Sequence, residues 1–364
     1  MGSPRPAPSA PVARRRRLVL LVAAAIVLVA IVAVVAAVAG GGGGEPAATS
    51  AAPPTSAAPP PAVFPLTGRP VAGKDTATRP PLSVKIENVA EARPQAGLNA
   101  ADVVTEELVE GGLTRLLATY HSTDAALVGP VRSARPVDAA LLRQLGGGLF
   151  AFSGAAQAVL EQIRRDSGAT LVGPDQAPAA YRRLAVARAP HNLFSSTRAL
   201  YAAGRAANPK LGPPRSFLTF STEVPAGGRA VRGVRLRFSS SSRAAWQWRP
   251  AQRVFERFQD GTVHRLRDGR AVTTENVVVL HVTIGRTRIT DAAGNPTPDV
   301  DVIGEGAAWV LRDGRVLTGR WQRRSPGEPV RLTGPGGGQI ALRPGRTWFE
   351  LLPSTERPEL LGAG

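Results

Sequence analysis

The longest run of hydrophobic positions lies near the N-terminus, where residues 18–39 are all apolar. About 20 apolar residues cross a hydrocarbon core of roughly 30 Å as a helix that satisfies its own backbone hydrogen bonds. Four arginines at positions 14–17 precede the run, and such a block holds an N-terminus on the cytoplasmic side. The pattern therefore predicts a cytoplasmic tail over residues 1–17, a transmembrane helix over 18–39 and an extracytoplasmic remainder.

A cleaved signal peptide is the alternative interpretation of this segment. Ala37 and Ala39, just before Gly40, fit the small-residue pattern of a cleavage site. Signal-peptide apolar cores are about 7–15 residues long, and the longer run here favours a retained single-pass anchor in the cell membrane. Both interpretations place the bulk of the protein outside the cytoplasm.

Residues 40–62 have a different pattern, with five consecutive glycines followed by Pro, Ala, Ser and Thr. This segment has almost no side chains that could build a core, so it predicts a disordered linker. Folded sequence is expected to begin at Val63.

Between residues 63 and 214 the pattern changes repeatedly between strand and helix periods. Leu82, Val84 and Ile86 alternate with polar residues and predict a half-buried strand. Further strands are predicted at 103–109, 113–120 and 149–152, and helices at 136–145, 155–165 and 197–207. Strands that alternate with helices indicate an α/β domain.

From residue 215 to 355 no helical spacing is present, and the pattern predicts a mostly β domain, followed by a tail over 356–364. Strand-like runs include the alternating residues 234–238 and the apolar run 277–284. Asp-Gly pairs begin at Asp260, Asp268 and Asp313, and this dipeptide tolerates the positive φ values of tight hairpins. The fold class expected is thus a membrane helix, a mixed α/β domain and a mostly β domain.

The composition of the chain excludes several kinds of site and partner. The chain has 364 residues, a formal net charge of +18 and no cysteine, which excludes disulfides, thiolate metal sites and lipidation of a cysteine. The basic residues are almost all Arg, lie mainly beyond the membrane segment and accompany much Ala, Gly and Pro, as in proteins from GC-rich genomes. We therefore expect solvated arginines or an anionic envelope partner rather than nucleic acid.

Candidate chemistry is concentrated in four segments of the first domain, at 87–97, 102–115, 129–135 and 189–193, where charged or amide groups stand beside Gly or Pro. Such strand ends and turns are where scaffolds present functional groups. The ten candidates for a ligand-binding cleft are Glu87, Asn88, Arg93, Glu106, Glu110, Arg115, Arg132, Arg135, His191 and Asn192. No motif for a metal or cofactor is present, so none is predicted.

These segments, with Pro-Leu-Thr-Gly at 65–68 and Pro-Gly-Arg-Thr-Trp at 344–348, together resemble the YerB-like family of bacterial cell-envelope proteins, a domain of unknown function with two halves. The resemblance covers nearly all of the folded sequence. Family members are often lipoproteins, whereas this sequence offers a helical anchor instead. The resemblance implies an envelope protein with a two-domain ectodomain and supplies no catalytic role.

Three functions remain open at this point. A non-catalytic binding or regulatory module at the cell wall would use the candidate residues to line a cleft for an anionic or sugar-peptide ligand. A wall hydrolase would use Glu106 with His191 or a second carboxylate, such as Glu87 on a neighbouring strand. A protein-interaction platform would use the β domain to bind a membrane-bound synthesis or division component. Ion pairs between the glutamates and Arg115, Arg132 or Arg135 are the purely structural alternative.

Overall fold

The computed structural model describes residues 62–71, 74–225, 227–291 and 294–362. The predicted cytoplasmic tail, the transmembrane helix at 18–39 and nearly all of the linker lie outside these ranges. Within them, no helix is both long enough and apolar enough to cross a membrane.

The described residues form four α-helices and twenty-one strands. The helices are α1 Lys74–Thr78, α2 Pro136–Gln144, α3 Gln157–Asp166 and α4 Thr197–Ala207. The strands in the first half are β1 Leu82–Glu87, β2 Val103–Leu108, β3 Thr114–Tyr120, β4 Gly148–Ala151, β5 Ala169–Leu171, β6 Arg182–Arg183 and β7 Leu193–Phe194. The middle strands are β8 Arg229–Ala230, β9 Gly233–Arg237, β10 Arg243–Arg249, β11 Val254–Gln259, β12 Thr262–Val263, β13 Thr273–Thr274 and β14 Asn276–Val282. The last strands are β15 Ile284–Thr290, β16 Pro296–Val300, β17 Gly304–Arg312, β18 Arg315–Arg323, β19 Arg331–Thr333, β20 Thr347–Pro353 and β21 Glu359–Leu361.

One large sheet runs through both halves of the described chain. Its strand order is β19-β18-β17-β14-β20-β2-β3-β1-β4-β5, with β8 added beside β18. The late strand β20 is central, since it pairs in parallel with β14 on one side and with β2 on the other. The large sheet therefore includes strands from both sides of position 214, where the change in pattern predicts a domain junction.

The large sheet is covered on both faces. Helices α2 and α3 pack on one face, which we call the helical face, through apolar residues such as Leu142 and Ile163. The second sheet, with order β12-β11-β10-β9-β21 and β13 beside β11, packs on the other face together with α4. This second face, which we call the inter-sheet face, buries Trp246, Phe255 and Trp348 in its core.

Most predicted elements are confirmed. Helix α4 has the predicted bounds, and it begins where the Ser196 hydroxyl accepts a hydrogen bond from the Ala199 N–H at 3.2 Å. The hairpins β11–β12 and β17–β18 turn at Asp260 and Asp313, both at positive φ. From residue 215 onward, the described residues form strands and no helix.

The prediction of a half-buried first strand is wrong, because every residue of β1 is buried. The polar positions Ser83 and Lys85 face covered surface rather than water. The Ser83 hydroxyl lies 2.9 Å from the Thr119 hydroxyl, and Lys85 forms ion pairs with two buried carboxylates. Alternation alone cannot distinguish water from a polar interior.

Candidate functional site

A cleft of about 610 Å³ opens on the helical face and holds four of the ten candidate residues, Glu110, Arg115, Arg132 and Arg135. Ser133, Ala134, Ala155, Ala156, Val159, Ile289, Thr290, Asp291 and Thr297 complete its lining. Its walls are the turn after β2, the segment before α2, the start of α3 and the β15–β16 hairpin. We call it the arginine cleft, and its volume suits a small ligand or one unit of a polymer.

Glu110 and Arg135 form a closed ion pair in this cleft. Gly111 and Gly112 both have positive φ, and the turn they make brings the Glu110 side chain to Arg135, whose Nε and Nη2 donate to the same carboxylate oxygen. The Thr297 hydroxyl donates to the other oxygen. Burial alone would raise the pKa of Glu110, but the hydrogen bonds from Arg135 and Thr297 outweigh it and hold that pKa below its ordinary value.

Arg115 differs from the other two arginines of this cleft, Arg132 and Arg135, which each form an ion pair with a glutamate. It is only 7% exposed, yet among the described residues no carboxylate forms an ion pair with it and its Nε has no hydrogen-bond partner. Its Nη1 donates to the Ser133 carbonyl oxygen at 3.1 Å. Burial, together with the positive charge of Arg135, lowers its pKa to about 10. Glu87 and Glu110 are near enough to favour the charged form of Arg115, but their ion pairs are with Arg132 and Arg135. Arg115 thus carries a buried charge that has no ion-pair partner among the described residues.

Arg132 connects the arginine cleft to His191. Arg132 Nε donates to Glu87 Oε2 at 2.6 Å, and His191 Nδ1 lies 2.9 Å from the same oxygen. A hydrogen bond there requires a proton on Nδ1, so Nε2 of a neutral imidazole is an acceptor. Among the described residues, neither Nη of Arg132 makes a hydrogen bond, so this planar fork is available to a ligand.

The inter-sheet face holds a second polar cluster, which we call the buried network. The Glu106 carboxylate accepts hydrogen bonds from Arg257 Nη2, from the Thr114 hydroxyl at 2.7 Å and from Asn88 Nδ2 at 3.1 Å. Its other members are Gln95, Trp246, Gln259, His264 and Glu350. Glu106 and Arg257 both have fully buried side chains, so no ligand reaches this carboxylate.

Two titratable groups of the buried network have pKa values that are shifted toward their neutral forms. His264 accepts from Arg257 at Nδ1 and donates from Nε2 to Gln95 Oε1, both at 2.7 Å. Burial and the nearby guanidinium of Arg257 keep its pKa well below the ordinary value. Glu350 lies directly opposite Glu106 on the parallel strand and accepts from Trp246 Nε1 at 2.6 Å. Burial and the Glu106 charge raise the pKa of Glu350 well above its ordinary value.

The ten residues that the sequence analysis assigned to one ligand-binding cleft therefore lie at different sites in the structure. Six belong to the arginine cleft and its His191 extension, while Asn88 and Glu106 belong to the buried network. Arg93 pairs with Asp260 at 3.0 Å, and Asn192 accepts from Arg183 at 2.7 Å. From the sequence, Glu87 and Glu106 were expected on neighbouring strands. In the structure, β3 lies between β1, which carries Glu87, and β2, which carries Glu106.

Sequence reasoning missed several buried charged residues, namely Lys85, Glu107, Asp138, Arg257 and Glu350. A signal for them was present. Glu106 and Glu107 are consecutive on a strand, so their side chains must point to opposite faces. A charged residue in an otherwise apolar strand, such as Glu350 in β20, likewise indicates a buried partner.

Fold and cleft define a β-rich protein with two large sheets and a basic cleft. Comparison with known proteins assigns its family. The N-terminal domain of a protein family of unknown function, DUF3048, matches residues 66–210, and the C-terminal domain of the same family matches residues 234–349. The chain belongs to this YerB-like family, as its motifs predict.

A curated protein that this chain is similar to is a putative lipoprotein, YerB of Bacillus subtilis. It is 27% identical over 296 residues, which are 80% of this chain and 86% of the relative. A crystal structure of YerB from Bacillus subtilis superimposes with a TM-score of 0.70 at 25% identity, and the alignment covers 82% of this chain and 99% of that one.

Proposed function

We propose that this protein is a membrane-anchored, extracytoplasmic binding module that holds an anionic group of a cell-wall polymer in the arginine cleft. The observation that carries the proposal is the buried, unpaired charge of Arg115. A buried guanidinium without an ion-pair partner is costly, and an anionic ligand would remove that cost.

Two further features of the cleft support an anion. The free Nη groups of Arg132 form a planar fork that matches a carboxylate or phosphate. Ala155 and Ala156 line the cleft at the N-terminal end of α3, and Ala156 has no side chain to cap the first-turn N–H groups. That end of a helix favours negative charge. Asp291 also lines the cleft, but it is hydrogen-bonded to Asn295 within its own hairpin.

The envelope location rests on the family and on the sequence. The relative YerB is a putative lipoprotein, and this chain carries the apolar run at 18–39 after its arginine block. The outer side of a bacterial membrane faces wall polymers that carry phosphates or peptide carboxylates, which are the groups that Arg115 and Arg132 would bind.

A co-sedimentation assay tests the proposal. The full chain in detergent is mixed with purified sacculi, either intact or stripped of phosphate polymers by acid, and the bound fraction is measured after centrifugation. If the protein binds intact sacculi but not stripped sacculi, the ligand is a phosphate. If it binds both, the ligand is a peptide carboxylate. We expect Arg115→Met to weaken binding at least about tenfold, since a charge-assisted hydrogen bond contributes roughly 1.5–3 kcal/mol. The exposed Arg320→Met variant is the matched control and should bind normally.

A hydrolase is the second candidate, and one observation favours it. Glu87 orients His191 as a carboxylate orients a general base. Glu106 is too buried to act on a substrate, so any such activity would depend on His191. Release of soluble fragments that His191→Asn abolishes would establish the hydrolase. Absence of both binding and release would overturn the wall-binding proposal and direct attention to a membrane protein partner.

A further inference from the structure

Three charged side chains on the helical face have no role in the arginine cleft. Lys85 of β1, Glu107 of β2 and Asp138 of α2 each have a side chain that is 0% exposed. Lys85 Nζ contacts Glu107 Oε1 and lies 2.7 Å from Asp138 Oδ1. We call this cluster the lysine triad.

The two carboxyl groups of the lysine triad are held differently. Asp138 Oδ2 accepts the Arg135 backbone N–H at 2.7 Å, which fixes the carboxylate at the start of α2. Glu107 Oε2 is buried and has no hydrogen-bond partner among the described residues. Burial raises the pKa of Glu107 to about 7 despite the nearby Lys85. At a pH near 7, a large share of Glu107 is thus a neutral carboxylic acid in contact with Lys85.

This environment favours condensation of an amine with a carboxylic acid. In water the reaction is held back because it consumes solvated ions, but a dry interior destabilises those same ions. Fixed contact between the reacting groups supplies effective molarities of about 10⁵–10⁸ M. The packed side chains around the triad, including Leu117 directly opposite Lys85 on β3, exclude the water that would reverse the step.

We propose that Lys85 and Glu107 become joined by an intramolecular amide bond. The Asp138 carboxylate takes one proton from the Lys85 ammonium, and the freed Nζ lone pair forms a bond to Glu107 Cδ. The Glu107 hydroxyl takes a second proton from Nζ and leaves as water. Nζ keeps its third hydrogen in the amide, and Asp138 ends protonated, so atoms and charge balance without any further reagent.

The link would connect β1 to β2 across the intervening strand β3. These strands carry Glu87, Arg115 and the turn to Glu110, so a covalent tie at this point would stabilise the scaffold of the arginine cleft. The chain has no cysteine, and an amide would give an exported protein the kind of cross-link that disulfides provide elsewhere.

The presence of only three lysines, at positions 74, 85 and 210, makes the test direct. The full chain is purified, denatured and digested with a protease that cleaves after lysine, and the peptide masses are measured by mass spectrometry. An unlinked chain yields peptides 75–85 and 86–210. The linked chain should yield 75–210 as one peptide, uncut at Lys85 and lighter by one water, with fragmentation placing the closure at Glu107.

The Lys85→Arg variant is the matched control, because it keeps the charge and cannot form the amide at this position. Its peptide 75–210 should also remain uncut but should have its full mass. Release of peptide 75–85 from the unmodified sequence at full mass would overturn the proposal. A closure located at Asp138 would overturn the assignment to Glu107.

Discussion

Both faces of the large sheet carry buried glutamates and arginines, but these side chains are paired differently on the two faces. The consecutive residues Glu106 and Glu107 point to opposite faces of the sheet. On the inter-sheet face, Glu106 forms an ion pair with Arg257, and the pKa values of His264 and Glu350 are shifted toward the neutral forms. On the helical face, Arg115 in the arginine cleft has no ion-pair partner among the described residues. We interpret a buried charge that has an ion-pair partner as structural. We interpret a buried charge without such a partner as a binding site for a ligand of opposite charge.

The largest effect is expected from breaking the buried network at Arg257. The Arg257→Met variant would leave the Glu106 carboxylate buried without its partner, which typically costs about 3–5 kcal/mol. Chemical denaturation of the variant should show this loss in the free energy of unfolding. The exposed pair Arg320–Glu305 serves as control, since Arg320→Met should cost less than about 0.5 kcal/mol. A loss below 1 kcal/mol for Arg257→Met would contradict the comparison.

The next effect is a change in pH dependence from Glu350→Gln. Burial and the Glu106 charge raise the pKa of Glu350 in the folded state, so the folded protein keeps a proton on this group at pH values where the unfolded chain, with an ordinary pKa of 4.5, has released it. This group therefore makes the free energy of unfolding fall as pH rises from 4.5 toward the raised pKa, by about 1.4 kcal/mol per pH unit.

The Gln side chain is neutral and its oxygen can still accept from Trp246. We expect the variant to lack this component of the slope and to be the more stable protein at pH 8, by about 1 kcal/mol or more. Denaturation curves at several pH values would measure it. Parallel slopes for the two proteins would exclude a protonated Glu350.

A smaller loss is expected within the arginine cleft from Arg135→Met. This change leaves Glu110 with only the Thr297 hydroxyl, and an unpaired, largely buried acceptor costs about 1–3 kcal/mol. Glu110 has a lowered pKa, so the pair stabilises the fold above pH 4.5 and loses its effect as pH falls through the folded pKa. The difference in stability between Arg135→Met and the unmodified protein should thus disappear in acid.

The smallest effect on stability is expected from Arg115→Met, although it should abolish most binding to sacculi. Among the described residues, Arg115 has no ion-pair partner and its buried Nε has no hydrogen-bond partner. The melting temperature should therefore change little, because removal of this buried charge offsets the loss of the hydrogen bond to the Ser133 carbonyl, which contributes about 1 kcal/mol. Strong destabilisation together with unchanged binding would assign Arg115 a structural role.

Local pattern predicted part of the secondary structure, because spacing and turn chemistry act over a few residues. The hairpins at Asp260 and Asp313 and the bounds of α4 follow from such signals. The position of β20 between β2 and β14 could not be predicted, since no local rule pairs Val103 with Thr347. Nor could the burial of Lys85, which depends on a second layer over the sheet.

The sequence indicates Arg115, Arg132 and Arg135 as candidates because they stand near turns with Gly and Pro, and the structure places all three in the arginine cleft. That this cleft binds a ligand stays a prediction. Glu106 was included because residue type alone does not tell which face of a strand is open. The period of two separates Glu106 from Glu107, but only the packing of the second sheet makes Glu106 inaccessible.

The central position of β20 has a consequence for how this chain reaches its folded state. Strand β2 comes early in the sequence, yet its parallel neighbour is among the last strands to be made. Until then, one edge of β2 has unpaired backbone groups that can pair with other chains. Such distant pairing slows folding and lengthens exposure to aggregation. A protein exported from its N-terminus would complete its sheet only after nearly the whole chain has crossed.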